Sequence, residues 1–310
     1  MKKFGKAILA ISALAASAAF GADAVVTVPP SAAANSAPKT IRLVGSDLLK
    51  PYIQAKVEEL AKKGEVPLEC NLNGTYEARK KLAKGECDIA IIAMPSGAKA
   101  PKGCTMLPLA YQAAIVIVNS VNPLEEISTA QLFGIYSKMA NPRFEVWNQL
   151  NVNSIGMRNV MAVTTGFSDN VVVELFKYSA LSGTNLGSWV NVVDKKQDIY
   201  NIIKANNSAI AVVGKVRDGN MIKIVAVSKP AAEGQTAYSF RPDLDSIFNG
   251  DYPLVLPFYV AFKKENSAKL RHIAAIILSD DVADEINKSD FFAAPKNSRE
   301  KSIFDVDIEK

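Results

Sequence analysis

Three places in the chain set glycine or small hydroxyl residues where a strand gives way to a helix: Gly45, Ser46 and Asp47; Asn73, Gly74 and Thr75; and Gly166, Phe167, Ser168 and Asp169. A helix beginning leaves backbone N–H groups without carbonyl partners and carries a partial positive charge, so such a turn can hold an anion without any basic side chain. Ser and Thr are also preferred helix caps, and each turn taken singly reads as ordinary capping. Position changes the weighing: in open α/β sheets these turns gather at the carboxyl ends of the strands, where ligands bind. Three such turns from two domains can converge on one small ligand.

Other chemistry is thinly supplied. The single histidine, His272, stands on a predicted helix without a second His or a nearby Cys, which fits a surface or packing role. Cys70, Cys87 and Cys104 are widely spaced and leave almost no material for a zinc, haem or iron–sulfur site. No G-x-S-x-G elbow is present, so neither an enzyme nor a bound cofactor is expected. Trp147, Trp189, Tyr76 and Tyr111 fit either a cleft lining or the core, with the core the commoner fate of aromatic residues.

The elements that must position these turns follow from periodicity. From Ile41 the chain reads IRLVG, a helical stretch from about Leu48 to Lys63, VPLECNL, a second from Tyr76 to Lys84, then CDIAIIAM. Further helices are expected over Thr129–Tyr136, Asn170–Leu181, Lys196–Ala205, Ser267–Leu278 and about Val282–Lys288, with strands at AAIVIVN, AIAVVG, IKIVAV and YPLVLPFYVAF. Short apolar runs between helices argue for βαβ units, hence an α/β fold built on mainly parallel sheets flanked by helices. The final KSIFDVDIEK reads as a solvated tail or edge. The basic run ARKKLAK reads as a solvated helix face.

At 310 residues, 49% hydrophobic and 22% charged, the chain can fill a core, and its length suggests two domains. Lys2, Lys3 and Lys6 precede the run from Ala7 to Phe20, and small residues follow, the order of a secretory signal peptide over residues 1–24. Fourteen residues reach only about 21 Å, short of a bilayer core about 30 Å thick. An Ala/Pro/Ser-rich lead-in occupies 25–39. A soluble periplasmic protein is the expectation. There Cys70, Cys87 and Cys104 are compatible either with one disulfide and a spare thiol or with three free thiols. A net charge of +5, falling to +2 without the three leader lysines, is too weak for a nucleic-acid binder.

The blocks IRLVGSDLLKP, LNGTYEARKKLAKGECDIAIIAMP and LPLAYQAAIVIVNSVNPLEEISTAQLFGIYSKMANPRFEVWNQL together resemble the substrate-binding proteins of phosphate ABC transporters, the PstS-like branch of the periplasmic binding proteins. The resemblance runs from about Ile41 to Pro295. It implies two α/β lobes closing on an oxyanion, with a discontinuous first lobe over 40–112 and 252–310 and a second lobe over 113–251. It also implies a ligand site at Ser46 and Asp47, at Gly74 and Thr75, and at Gly166 and Ser168, with Arg158 as the nearest arginine before the third turn. Phe167 stands where that family has a glycine, and IIAMPSG offers no carboxylate where it commonly has an aspartate. The partners so implied are a small anion, with phosphate first, and the membrane subunits of an ABC transporter, the protein itself being a monomer. The competing expectation is a periplasmic scaffold or interaction protein that kept the lobes and lost the pocket.

Overall fold

The structure, a computed structural model, describes residues 39–153, 156–166, 171–217, 219–229 and 236–308. The expected signal peptide and most of the lead-in lie outside them. The chain begins with β1 (Ile41–Gly45), α1 (Lys50–Lys63), β2 (Leu68–Asn71), α2 (Thr75–Lys84), β3 (Ile89–Ala93) and β4 (Cys104–Ala113). It continues through β5 (Ile115–Asn119), β6 (Glu126–Ser128), α3 (Thr129–Tyr136), β7 (Met161–Thr165), α4 (Val171–Ala180), β8 (Asn191–Val193), α5 (Lys196–Ala205), β9 (Ala209–Val213), β10 (Ile222–Ile224), β11 (Ala226–Ser228), β12 (Ser239–Phe240) and α6 (Leu244–Asn249). It returns as β13 (Val255–Lys263), α7 (Ser267–Ile277), α8 (Asp280–Lys288), β14 (Phe292–Ala293) and α9 (Lys296–Ile308).

The strands form two main sheets, ordered β14-β4-β13-β3-β1-β2 and β10-β5-β9-β7-β8, with a small third sheet of β12, β11 and β6. Fully apolar strands such as IAIIA in β3 and AIAVV in β9 are buried along their whole length, as strands covered on both faces must be. Each sheet is mixed rather than parallel throughout. In the first, β1, β2 and β3 run parallel, β13 runs against β3, and β4 runs against β13. In the second, β7, β8 and β9 are parallel and β5 runs against β9.

Strand direction decides which edges meet. β4 ends at the carboxyl edge of the first sheet, and β5 starts at the carboxyl edge of the second, with only Ala114 between them. The return strand passes alongside: Val255 pairs with Ala113, the Ala114 amide donates to the Leu254 carbonyl at 2.9 Å, and the buried Tyr252 hydroxyl donates to the Ala114 carbonyl at 2.8 Å. Two chain segments therefore cross side by side, and the carboxyl edges of both sheets flank the crossing.

Local chemistry explains the helices. α3 begins with a capping box in which Ser128 and Gln131 satisfy each other's backbone amides at 3.1 and 2.8 Å. Its Tyr136 stacks edge-on against Phe176 at 5.0 Å and donates its hydroxyl to the Ile210 carbonyl at 2.8 Å, so a large apolar body is buried with its polar tip satisfied. Trp147 is wholly buried in the same core, its indole N–H reaching the Ser208 carbonyl at 3.3 Å.

One open alternative is settled and one expectation is overturned. The cysteines are all free thiols. Cys70 packs against the layer of α1 and α7, whereas Cys87 and Cys104 pack on the opposite face of the sheet, so Cys70 cannot reach either. Burial pushes the Cys70 thiol up to about 12 and that of Cys87 up to about 11, which keeps both protonated and unreactive. The chain end is no tail: it forms α9, buries Val306 at 3% exposure, and is pinned by Arg299. Arg299 donates to the Ala294 carbonyl at 3.0 Å, to the Leu278 carbonyl, and to Asp280 Oδ1 at 2.7 Å. A solvated reading failed because one buried guanidinium closes three acceptors that the local pattern does not reveal.

Arg299→Leu is expected to cost roughly 3 kcal/mol in urea unfolding, because two carbonyls and a carboxylate lose their donor together. Hydrogen bonds from Lys296 and then Arg299 hold the Asp280 carboxyl below its ordinary value. Its stabilising contribution is therefore present above the unfolded carboxylate range and lost as pH falls through the lowered folded value. Unfolding curves of Asp280→Asn and the parent chain should differ at neutral pH and converge in acid.

Candidate functional site

Three strand ends of the first sheet are tied together by hydrogen bonds from backbone amides. Ser46 N–H donates to the Ile91 carbonyl at 2.7 Å, Gly74 N–H to the Gly45 carbonyl at 2.7 Å, and Ala93 N–H to Thr75 Oγ1 at 3.1 Å. A Cβ at Gly45 would lie 2.7 Å from Ile91 Cβ, closer than packed carbons come, so glycine is needed there for space. Gly74 needs it for conformation: its φ of 132° places it outside the range L side chains adopt, while nothing crowds its Cβ position. The structure thus brings Ser46, Gly74 and Thr75 to one corner, where α2 starts with Gly74 as its cap.

The hydroxyls at this corner face their neighbours as acceptors. Thr75 Oγ1 accepts from Ala93, and the buried Ser46 Oγ, 1% exposed, accepts a long bond of 3.4 Å from Leu48 N–H. Neither hydroxyl proton is given to a described protein acceptor. Each is available to an incoming acceptor, beside the opening amides of α2 that no carbonyl closes. Asp47 sits next to them but is exposed, its carbonyl accepting from Lys50 N–H at 3.2 Å.

The second lobe's expected residues divide. Gly166 follows β7 at the carboxyl edge, its N–H donating to the Val193 carbonyl at 3.2 Å, with 3.7 Å of clearance to Val192. Ser168, with Phe167 and Asp169, lies outside the described residues. Arg158 is not brought to the turn. It precedes β7, is exposed, and spends its carbonyl on Trp147 N–H at 3.0 Å, so the whole of β7, about 16 Å of strand, separates it from Gly166. As a direct partner of that turn it is ruled out by strand direction.

Cations do stand at this edge, and the sequence reading passed over them. Lys196 opens α5 just after β8, and Lys215 and Arg217 follow β9. All three reach across to the first lobe, into the segment joining α8 to β14. Lys196 Nζ lies 2.9 and 3.0 Å from the two Asp290 oxygens and 2.9 Å from the Lys215 carbonyl. Lys215 Nζ donates to the carbonyls of Asn287 at 3.2 Å and Phe291 at 3.3 Å, and Arg217 to that of Ser289 at 2.7 Å and to that of Lys288. Cations at the end of α8 also oppose its dipole. Burial, and then Arg217, hold the Lys215 pKa below its ordinary value. A lysine three residues past a short strand was the available signal. Its partner, 94 residues away, was not.

Among the described residues no cluster of His, Cys, Asp and Glu is placed to hold a metal, and no helix is long and apolar enough to cross a membrane. The aromatic residues separate: Trp147 is core, Trp189 donates to the Ile135 carbonyl at 2.7 Å beneath the Arg143 guanidinium, and Tyr76 is exposed. His272 is a surface residue beside Gly64.

Two helix-flanked sheets with their carboxyl edges at a double crossing make a two-lobe α/β fold, and the PBP superfamily domain matches residues 30–281, so the chain belongs to that superfamily. Protein SphX of Synechococcus elongatus is 23% identical over 243 residues, 75% of this chain and 70% of its own length. Two solved structures are similar in fold. A possible phosphate binding protein from Planctomyces limnophilus has a TM-score of 0.65 at 18% identity, covering 86% of this chain and 98% of its own. An ABC-type phosphate transport receptor from Vibrio cholerae has a TM-score of 0.56 at 19% identity, covering 81% and 99%.

The polar bridge between the lobes predicts a salt effect. Partly exposed ion pairs contribute about 0.2–1 kcal/mol each and weaken as salt screens them. The radius of gyration from small-angle scattering is expected to rise with ionic strength in the parent chain. Asp290→Ala should be expanded already at low salt and respond less.

Proposed function

We propose that the protein is an exported solute-binding protein that takes a small oxyanion, most simply phosphate, between a lobe of residues 40–112 and 252–310 and a lobe of residues 113–251, and delivers it to the membrane subunits of an ABC transporter. The observation that carries this reading is the corner at Ser46, Gly74 and Thr75, where two hydroxyls serve the protein as acceptors and keep their protons for a ligand. Burying an oxyanion strips its water, and each unmet oxygen lone pair costs on the order of 1–3 kcal/mol, so a cage of N–H and O–H donors is what such a ligand requires. Gly166 supplies the facing edge of the second lobe, and Ser168 is assigned to the turn that follows it. SphX and the phosphate-binding proteins of similar fold support phosphate as the first ligand to try. Export to the periplasm rests on the leader-like start of the chain, and a monomer is the working assembly.

Equilibrium dialysis of ligand-free protein against labelled phosphate tests the assignment directly. Micromolar binding, about 8 kcal/mol in all, is expected, and no binding at millimolar phosphate removes it. Ser46→Ala deletes one donor to a charged ligand and should weaken phosphate by about ten- to a hundredfold while leaving the melting temperature nearly unchanged. A second reading, a periplasmic scaffold with a degenerate cleft, draws on the commitment of Lys196 to Asp290 and of Lys215 and Arg217 to backbone carbonyls. It gains if no anion in a panel raises the melting temperature, since a ligand at a hundred times its Kd adds about 2.7 kcal/mol.

A further inference from the structure

A second cavity, of about 210 Å³, lies beside the double crossing and shares no lining residue with the Ser46 and Thr75 corner. Its walls come from both lobes and from the crossing itself: Met94, Pro257 and Tyr259 from the first sheet, Tyr111 from the end of β4, and Phe248 and Lys229 from the second lobe. Tyr111 is 3% exposed, its ring set edge-on against Phe248 with centroids 6.0 Å apart, yet its hydroxyl makes no hydrogen bond to the protein. The ring is buried while the hydroxyl oxygen keeps access to the cavity, where it is free to meet a ligand. The hydroxyl of the half-buried Tyr259, which lines the same space, also makes no hydrogen bond among the described residues, and the exposed Lys229 makes no ion pair with them. Among the described residues no carboxylate lines the cavity, and its polar lining also includes Ser96 and Asn249.

We infer that this cavity is a hinge-side site for a small organic carboxylate, its anionic head taken by the Tyr111 and Tyr259 hydroxyls and the Lys229 ammonium, and its apolar body held among Met94, Phe248 and Pro257. The ammonium favours an anionic group, both phenol hydroxyls can donate to it, and the apolar side chains of Met94, Phe248 and Pro257 favour an organic body over a bare inorganic anion. Size agrees: an apolar cavity of about 150 Å³ takes benzene, so about 210 Å³ admits a benzoate-sized body. Burial, and then the neighbouring Tyr259, push the Tyr111 phenol above its ordinary value, and burial does the same for Tyr259, so both remain protonated donors in neutral water. Because the walls belong to both lobes, an occupant bridges them.

Calorimetric titration of the full chain with sodium benzoate, with benzyl alcohol as the neutral control, tests the site. Benzoate is expected to bind and benzyl alcohol to bind at least about tenfold more weakly. Tyr111→Phe, which keeps the ring on Phe248, and Tyr259→Phe should each weaken benzoate by about tenfold, and Lys229→Gln should erase the preference over the alcohol. Ser46→Ala should leave benzoate unchanged, and saturating benzoate should leave the Tyr111→Phe melting curve nearer its ligand-free position than that of the parent. No heat with benzoate up to about 10 mM, or affinity unmoved by all three pocket variants, overturns the proposal. So does loss of benzoate binding in Ser46→Ala, which would place it at the other corner. The outcome is independent of whether phosphate binds.

Discussion

The structure depends on one short piece of backbone pairing. Ala113 and Ala114 pass beside Leu254 and Val255 as the chain leaves the first sheet and returns to it, locked by the amide of Ala114 and the hydroxyl of Tyr252. The alanines there are wholly buried. Given the direction of β4 and of β5, this pairing leaves the two sheets no choice but to present carboxyl edges toward the same region. Every feature discussed as functional, the hydroxyl corner, Gly166, the cations of α5 and β9, and the cavity lined by Tyr111, lies on one of those edges.

Much of this was legible in the sequence, for physical reasons that can be named. α3 and α5 have the expected bounds because a capping box marks one start and a regular apolar face marks the other, with Ile199, Tyr200 and Ile203 turned inward. The corner at Ser46 and Thr75 was readable because glycine and hydroxyl residues at strand ends are chemically unusual and locally encoded. β13 was readable as a long apolar run returning late in the chain, but its antiparallel course and its neighbours were not.

What escaped the sequence is long-range. Arg158 looked suitable by proximity along the chain, yet five residues of β7 carry the polypeptide from one end of the sheet to the other, so nearness in number became distance in space. Lys196 and Asp290 are 94 residues apart, and no local pattern couples them. α9 was masked by the polar composition of its outer face, while the residues that hold it, Arg299 and Val306, declare themselves only against Leu278, Asp280 and Ala294. Cys70 cannot pair because a sheet lies between it and the other two, a partition that spacing along the chain does not encode.

The tight fit at Gly45 has a consequence for how the molecule adapts. With Ile91 pressed against the turn and three amides fastening neighbouring strand ends, the first lobe's corner has no slack to rearrange around a guest. Its donors are preset, and little ordering entropy remains to be lost there. Any induced fit must then be borne by the opposite lobe, whose grip on Asp290 and the α8 carbonyls consists of long, flexible side chains able to let go one at a time. The molecule is built as a fixed half and a compliant half, and discrimination among guests of similar size should be set by the former, dwell time by the latter.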